Sequence, residues 1–197
     1  MRTVPRYLQR FDTSLLPQVF TDVLVVGSGV AGHCASLAAA AAGAKVLLLT
    51  KDGPLESNTL YAQAGIAVAV GDDDSVEAHL RDTLSAGDGL CHERVVRTVV
   101  GEAAEALALL RENGVEFDRD DRGKLLLGRE GGHSARRVAH AHGDQTGREF
   151  QRALGTAVLG APMLRKVSAA FVIDLLSFEG RVVGALVLIG GELRVVW

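Results

Sequence analysis

Four apolar residues, Val23–Val26, run directly into Gly27-Ser28-Gly29-Val30-Ala31-Gly32. No other stretch restricts the fold as far. The apolar run suits a strand buried on both faces. The residues after it, His33 to Ala42, are rich in alanine and predict a helix closed at Gly43. Ala44–Thr50 then gives a second apolar strand. A strand, a tight turn, a helix and a second strand within about thirty residues make a βαβ unit, with parallel strands and a right-handed crossover. The three glycines have separate tasks in such a turn. Gly27 permits the sharp bend, Gly29 lets backbone approach a diphosphate, and Gly32 lets helix and strand pack closely. The unit therefore reads as a dinucleotide site. It does not choose the dinucleotide. The position that holds an adenosine ribose in many such folds is occupied by Thr50-Lys51 instead of an acid. FAD, NAD and NADP all stay open at this point.

The remaining chain alternates irregular and periodic segments. Residues 51–65 carry no period, and 66–71 suit a short strand. Asp72–Asp74 is expected to cap a helix over 75–89, and 92–114 reads as one helix stopped at Asn113-Gly114. Gly128–Glu149 mixes His, Arg, acids and Gly in a way that neither helix nor strand favours. Helical spacing returns over Thr146–Gly160. Beyond Pro162, residues 166–197 predict a three-stranded antiparallel meander, with turns at Glu179-Gly180 and Gly190-Gly191. The expected organisation is an N-terminal arm, 1–20, carrying Pro5 and Pro17, and one domain over 21–197. The fold class is α/β: a Rossmann-like parallel sheet with helices, followed by the meander.

Composition narrows the partners. At net charge −3, with 23% charged residues of both signs, nothing argues for nucleic acid or an anionic membrane. No stretch reaches the roughly 18 apolar residues of a membrane span. Arg2, Arg6, Arg10 and Asp12 break any apolar leader core, which points to the cytoplasm. Cys34 and Cys91 stand apart and read as buried, unpaired thiols. His133, His140 and His142 lack zinc spacing, so no metal is expected.

Two further strings fix the comparison. Ser57–Val70, SNTLYAQAGIAVAV, and Arg129–Gly147, REGGHSARRVAHAHGDQTG, follow GSGVAG in this order. Together they resemble the L-aspartate oxidases, a branch of the fumarate reductase and succinate dehydrogenase flavoprotein superfamily, over about 21–196, nearly the whole chain. The resemblance implies FAD. Ser28 to Ala31, between Gly27 and Gly32, would meet its pyrophosphate. Lys51 matches the family's lysine after the second strand, which removes the argument for NADP. Asn58, Thr59, Leu60, Tyr61, Ala62, Gln63, Ala64 and Gly65 would wrap the flavin, with Phe171 and Val172 at the adenine side. Respiratory members place a flavin-linking His where this chain has Asn58, so the FAD is expected to be noncovalent. Glu130 corresponds to the residue that meets the substrate amino group. Arg136, Arg137, His140 and His142 would favour a dianionic substrate without individual assignment, and Asp144 would cap the helix that begins near Thr146. One departure stands out: the family's Gly-Gly is Ala64-Gly65 here.

The implied reaction takes L-aspartate to iminoaspartate, with oxygen or fumarate as electron acceptor, on the way to quinolinate and NAD. Relatives of this kind are longer. They carry a capping domain and a C-terminal helical domain that the chain lacks, so the chain reads as an N-terminal part, not active alone and leaving a strand edge exposed. Its partners would be the small-molecule substrate, a missing C-terminal half, or quinolinate synthase. A dicarboxylate dehydrogenase is the alternative within the class, opposed by Asn58 and Glu130. A noncatalytic flavin-binding module and, more distantly, an NADP reductase complete the alternatives.

Overall fold

The computed structural model describes residues 12–197. The leader argument from Arg2, Arg6 and Arg10, like Pro5, lies outside the described residues. In chain order the elements are a 3-10 turn over Thr13–Leu15, β1 (Gln18–Val19), β2 (Val23–Val26), α1 (Val30–Ala41), β3 (Val46–Leu49), a 3-10 turn over Asn58–Tyr61, and β4 (Ile66–Ala67). Next come α2 (Val76–Ala86), α3 (Glu93–Gly101), α4 (Ala103–Glu112), β5 (Leu127–Gly128), β6 (Val138–Ala139) and α5 (Thr146–Gly160). The chain closes with β7 (Leu164–Val167), β8 (Ala170–Phe178), β9 (Arg181–Ile189) and β10 (Glu192–Val196).

A parallel sheet of order β2-β3-β7 carries the glycine turn. Val23 pairs with Val46 and Val26 with Leu49. On the other side of β3, Val46 pairs with Leu164 and Leu49 with Val167. The middle strand is buried along its whole length. β2 is only half-buried and Val26 is 54% exposed, where full burial was expected from its apolar run. Its position explains the difference: β2 has a strand neighbour on one side only among the described residues. Gly43, at φ +87°, closes the turn after α1 as the sequence predicts.

The meander β8-β9-β10 forms as expected, turning at Glu179-Gly180 and at Gly190-Gly191. β1 extends it by pairing in parallel with β10, Gln18 opposite Val195. Ala170, Ala185, Val187 and Val196 of the meander share a core cluster with Leu47 and Leu49 of β3. β7 was not anticipated as a separate strand. Its sequence, LRKV, has no apolar run and is ordered by pairing with β3, not by its own pattern. A second core gathers Val68, Leu107, Leu110, Phe117, Ala139, Phe150 and Leu154 beneath α4 and α5. It closes a small antiparallel sheet of order β4-β6-β5.

Four local expectations are corrected. The helix α2 is capped by Ser75, whose Oγ accepts from the Ala78 N–H at 3.1 Å, not by Asp72–Asp74. Asp74 is committed elsewhere, as described below. The predicted helix over 92–114 breaks at Gly101-Glu102 into α3 and α4, although it stops at Gly114 with φ +86° as expected. Asp144 does not cap α5; the residue before the helix is Gln145, with no side-chain cap, and Thr146 Oγ1 instead accepts from the Ala141 N–H. Both thiols are free, yet half-buried instead of buried.

Candidate functional site

The C-terminal ends of β2 and β3 border a cavity of about 490 Å³. Its lining comes from four segments of the chain: Val26–Gly29, Leu49–Lys51, Glu56–Thr59 and Ala170–Val172. Ligands of open α/β sheets bind at this end of the strands. Gly27 takes φ +101° and its N–H donates to the Leu49 carbonyl at 2.8 Å, which fixes the bend. Gly32 must lack a side chain. A Cβ there would overlap the Gly27 carbonyl oxygen and lie 2.9 Å from its carbon. Ser28 is buried, and its Oγ finds no partner among the described residues. An orphaned hydroxyl at the N-terminus of α1, beside a cavity, fits a phosphate-bearing ligand.

The residues singled out in the sequence divide into groups. Gly27, Ser28, Gly29, Lys51, Asn58, Thr59, Phe171 and Val172 line this one cavity. Val30, Ala31 and Gly32 form the first turn of α1 behind it. Thr59 joins the two groups, since its Oγ1 accepts from the Val30 N–H at 3.1 Å. Leu60, Tyr61, Ala62, Gln63, Ala64 and Gly65 lead away from it toward the small sheet. There Gly65 touches β6: a Cβ on it would meet the Ala139 carbonyl and lie 2.7 Å from Val138 Cγ1. Ala64 is exposed.

Sequence reasoning missed Glu56 and Ser57. The acid sought at the end of the second strand is absent there, but Glu56 brings a carboxylate to the cavity wall from the following loop, where its Oε2 accepts from the Tyr61 hydroxyl at 2.9 Å. An irregular segment offers no period from which that placement could be read. The segment is tethered from β7 as well: Lys166 Nζ donates to the Pro54 carbonyl and lies 3.3 Å from Nε2 of the fully buried His33. Burial, with Lys166 adding to it, pushes His33 down to about 4, so its ring is neutral and can accept from the ammonium.

The loop between β5 and β6 is organised by a buried cation. Arg137 is fully buried. Its Nε and Nη2 grip the Asp74 carboxylate at 2.8 and 2.7 Å, and Nη1 donates to Asp82 Oδ2 at 2.7 Å. That same Asp82 oxygen accepts from the Ser134 N–H and hydroxyl, each at 2.7 Å. Burial would raise the Asp74 carboxyl, but bonds from Arg137 and the Ser75 N–H hold it below its ordinary value. Ser134 first, and Arg137 after it, hold Asp82 well below the usual carboxylate range. The four candidates for an anionic region thus separate. Arg136 is exposed, Arg137 is spent on two aspartates, His140 Nε2 lies 3.4 Å from Glu130, and His142 Nε2 lies 3.5 Å from Glu149. The three loop histidines face three different partners, since His133 lies against Arg137. Glu130 is 56% exposed and does not line the glycine-turn cavity.

A parallel βαβ sheet with this turn, and a cavity at its strand ends, defines a dinucleotide-binding domain. The chain belongs to the FAD binding domain family, whose model matches residues 22–196, and FAD is the cofactor that this membership gives it. Among curated proteins it is similar to the L-aspartate oxidase of Streptomyces coelicolor, 47% identical over 175 residues, covering 88% of this chain and 30% of that protein. The chloroplastic L-aspartate oxidase of Arabidopsis thaliana is 48% identical over 160 residues, covering 81% of this chain and 24% of that protein. Among solved structures, the FrdA chain of E. coli quinol fumarate reductase superposes with a TM-score of 0.87 at 32% identity, covering 92% of this chain and 32% of that one. The Mycobacterium smegmatis Sdh1 complex gives 0.86 at 29% identity, covering 92% and 33%. The chain thus spans less than a third of the length of these two curated relatives. No helix among the described residues is long and apolar enough to cross a membrane.

Proposed function

We propose that the chain supplies the FAD-binding part of an L-aspartate oxidase. The observation that carries the reading is the cavity, where the glycine turn, Lys51, Asn58-Thr59 and Phe171-Val172 converge on one ligand-sized space. FAD, when bound, supplies the hydride acceptor. The chain's own residues hold it. The Gly27–Ala31 backbone and the Ser28 hydroxyl would hold the diphosphate, and Phe171 and Val172 would take the adenine side. Asn58 to Gly65 would wrap the flavin. Asn58 has no imidazole with which to form a covalent flavin bond, so the cofactor is noncovalent. Glu130 presents a carboxylate to the substrate ammonium, with His140 as its resting partner. Identity of 47–48% to curated L-aspartate oxidases, against 29–32% to the fumarate reductase and succinate dehydrogenase chains, supports aspartate over a dicarboxylate lacking the amine.

The visible spectrum of the purified protein, before and after acid precipitation, tests the cofactor. A flavin band that leaves with the supernatant is the expected result; a band retained in the pellet sinks the argument from Asn58. Turnover separates the substrates, with L-aspartate expected to be oxidised by the full-length protein and succinate not. In that protein, Glu130→Gln is expected to raise the KM for L-aspartate on the order of 10-fold or more by removing a charge-assisted bond. An unchanged KM removes Glu130 from the ammonium site.

A further inference from the structure

Gln151 lies on α5 and is fully buried, yet it belongs to no motif discussed so far. Its side-chain amide ties two loops to the helix. The two Nε2 protons serve three acceptors, the Ser28 carbonyl oxygen at 3.0 Å, the Leu55 carbonyl oxygen at 3.3 Å and Ser57 Oγ, so one proton is shared. Two carbonyls facing the same end of the amide fix its orientation, because only the nitrogen end can donate to them. The opposite end, Oε1, is buried with no partner among the described residues. An unpaired buried acceptor opposes folding, and an apolar side chain of similar size would avoid it. The donor end must therefore supply something that packing alone does not.

We propose that Gln151 is a positioning residue for the FAD diphosphate, acting through Ser57 and Ser28; the proposal rests on the assignment of FAD to the cavity. Ser57 Oγ accepts from the Leu60 N–H at 3.3 Å and from Gln151. A hydroxyl oxygen has two lone pairs and one proton. With both lone pairs taken, the remaining direction is that of the O–H, and Ser57 becomes a donor in the cavity wall. The bond to the Ser28 carbonyl acts in parallel. In a planar trans peptide, C=O and N–H point opposite ways. Anchoring the Ser28 carbonyl against α5 turns the Gly29 N–H away from that helix, and it donates to no described residue. One buried amide thus sets two donors, from two loops, on the same cavity. Paired donors on one wall are what a diphosphate requires.

The test titrates FAD, and separately ADP, into the flavin-free full-length protein, following flavin fluorescence for FAD and heat for ADP. Gln151→Met removes the donor and keeps the length. It is expected to weaken both ligands on the order of 10-fold, the effect of losing a hydrogen bond to a charged group. Ser57→Ala is expected to weaken both as well, and the double variant to bind no more weakly than Gln151→Met alone, since one hydroxyl carries the shared effect. A purely structural glutamine predicts a lower urea midpoint with affinities within twofold of the parent. That outcome overturns the proposal, as does a double variant whose losses multiply. If Gln151→Met does not fold, Ser57→Ala decides, and unchanged affinity overturns the proposal. A parent protein that binds neither ligand overturns the FAD assignment itself, and this inference with it.

Discussion

Replacing Gly147 with alanine is expected to strip the protein of FAD while leaving most of its helix content in place. Gly147 is the second residue of α5, and its N–H donates to the Ala62 carbonyl at 2.9 Å. The helix runs so close to the 3-10 turn at 58–61 that no side chain fits between them. A Cβ on Gly147 would overlap the Thr59 carbonyl oxygen, and would lie 2.7 Å from the Ala62 carbonyl and 2.9 Å from Ala62 Cβ. The obstacle is contact and not conformation, because Gly147 has no positive φ. By intrinsic propensity alone alanine would favour the helix by about 1 kcal/mol. Overpacking against rigid backbone reverses that, at about 1–3 kcal/mol. The turn has to move. Thr59 moves with it, and the bond from the Val30 N–H to Thr59 Oγ1 is lost. The displacement reaches the cofactor cavity from a residue that does not line it. FAD affinity is expected to fall on the order of 100-fold, with a lower urea midpoint. Gly155, two turns further along the same helix, is the control. A Cβ there meets only Leu55 Cδ2, at 3.5 Å, so Gly155→Ala is expected to be neutral or mildly stabilising. If Gly147→Ala retains full FAD affinity, the turn at 58–61 is not a fixed wall of the site.

Gly147 also shows what a sequence can and cannot disclose. Gly32 was legible as a close-packing glycine because its partner, Gly27, lies in the same turn and the spacing is the signal. Gly147 obeys the same physics, but its partner is Thr59, whose position depends on the tertiary fold. The same boundary runs through the rest of the molecule. Val46–Leu49, Thr146–Gly160 and the meander were readable because their periods are local. LRKV of β7 was not, since it becomes a strand only by lying beside β3. Asp72–Asp74 had the composition of a cap, and Ser75 took the role because Asp74 has a stronger claim from Arg137. At the site, Asn58, Thr59, Phe171 and Val172 came from resemblance and converge in space. Glu56 and Ser57, in an irregular loop, and Gln151, on a helix, carried no local mark.

The buried ion cluster gives the second large effect. Arg137→Met is expected to lower stability by about 3–5 kcal/mol at neutral pH, because it leaves the Asp74 carboxylate buried without its cation. The pH dependence distinguishes this from simple loss of packing. In the parent, Asp74 and Asp82 both have folded-state values below their unfolded ones. Their contribution is fully present above the unfolded carboxylate value, about 3.9, and is lost as pH falls through the folded values. In the variant the sign reverses for Asp74. Burial without Arg137 raises its carboxyl, so acid relieves the variant while it weakens the parent. The stability gap between the two should therefore be widest near neutrality and should narrow steadily below about pH 5. Urea unfolding at pH 7 and pH 4 measures it, and a gap that stays constant with pH would mean that the cluster acts only through volume. The loop carrying Glu130 depends on the same cluster, since Ser134 and Arg137 pin it to α2 through Asp82. If Glu130 meets the substrate ammonium as proposed, Arg137→Met in the full-length protein should consequently raise the KM for L-aspartate even under conditions where the variant is fully folded. The buried cation would then serve the site at one remove: it holds Glu130 where a substrate ammonium can reach it, without touching the substrate.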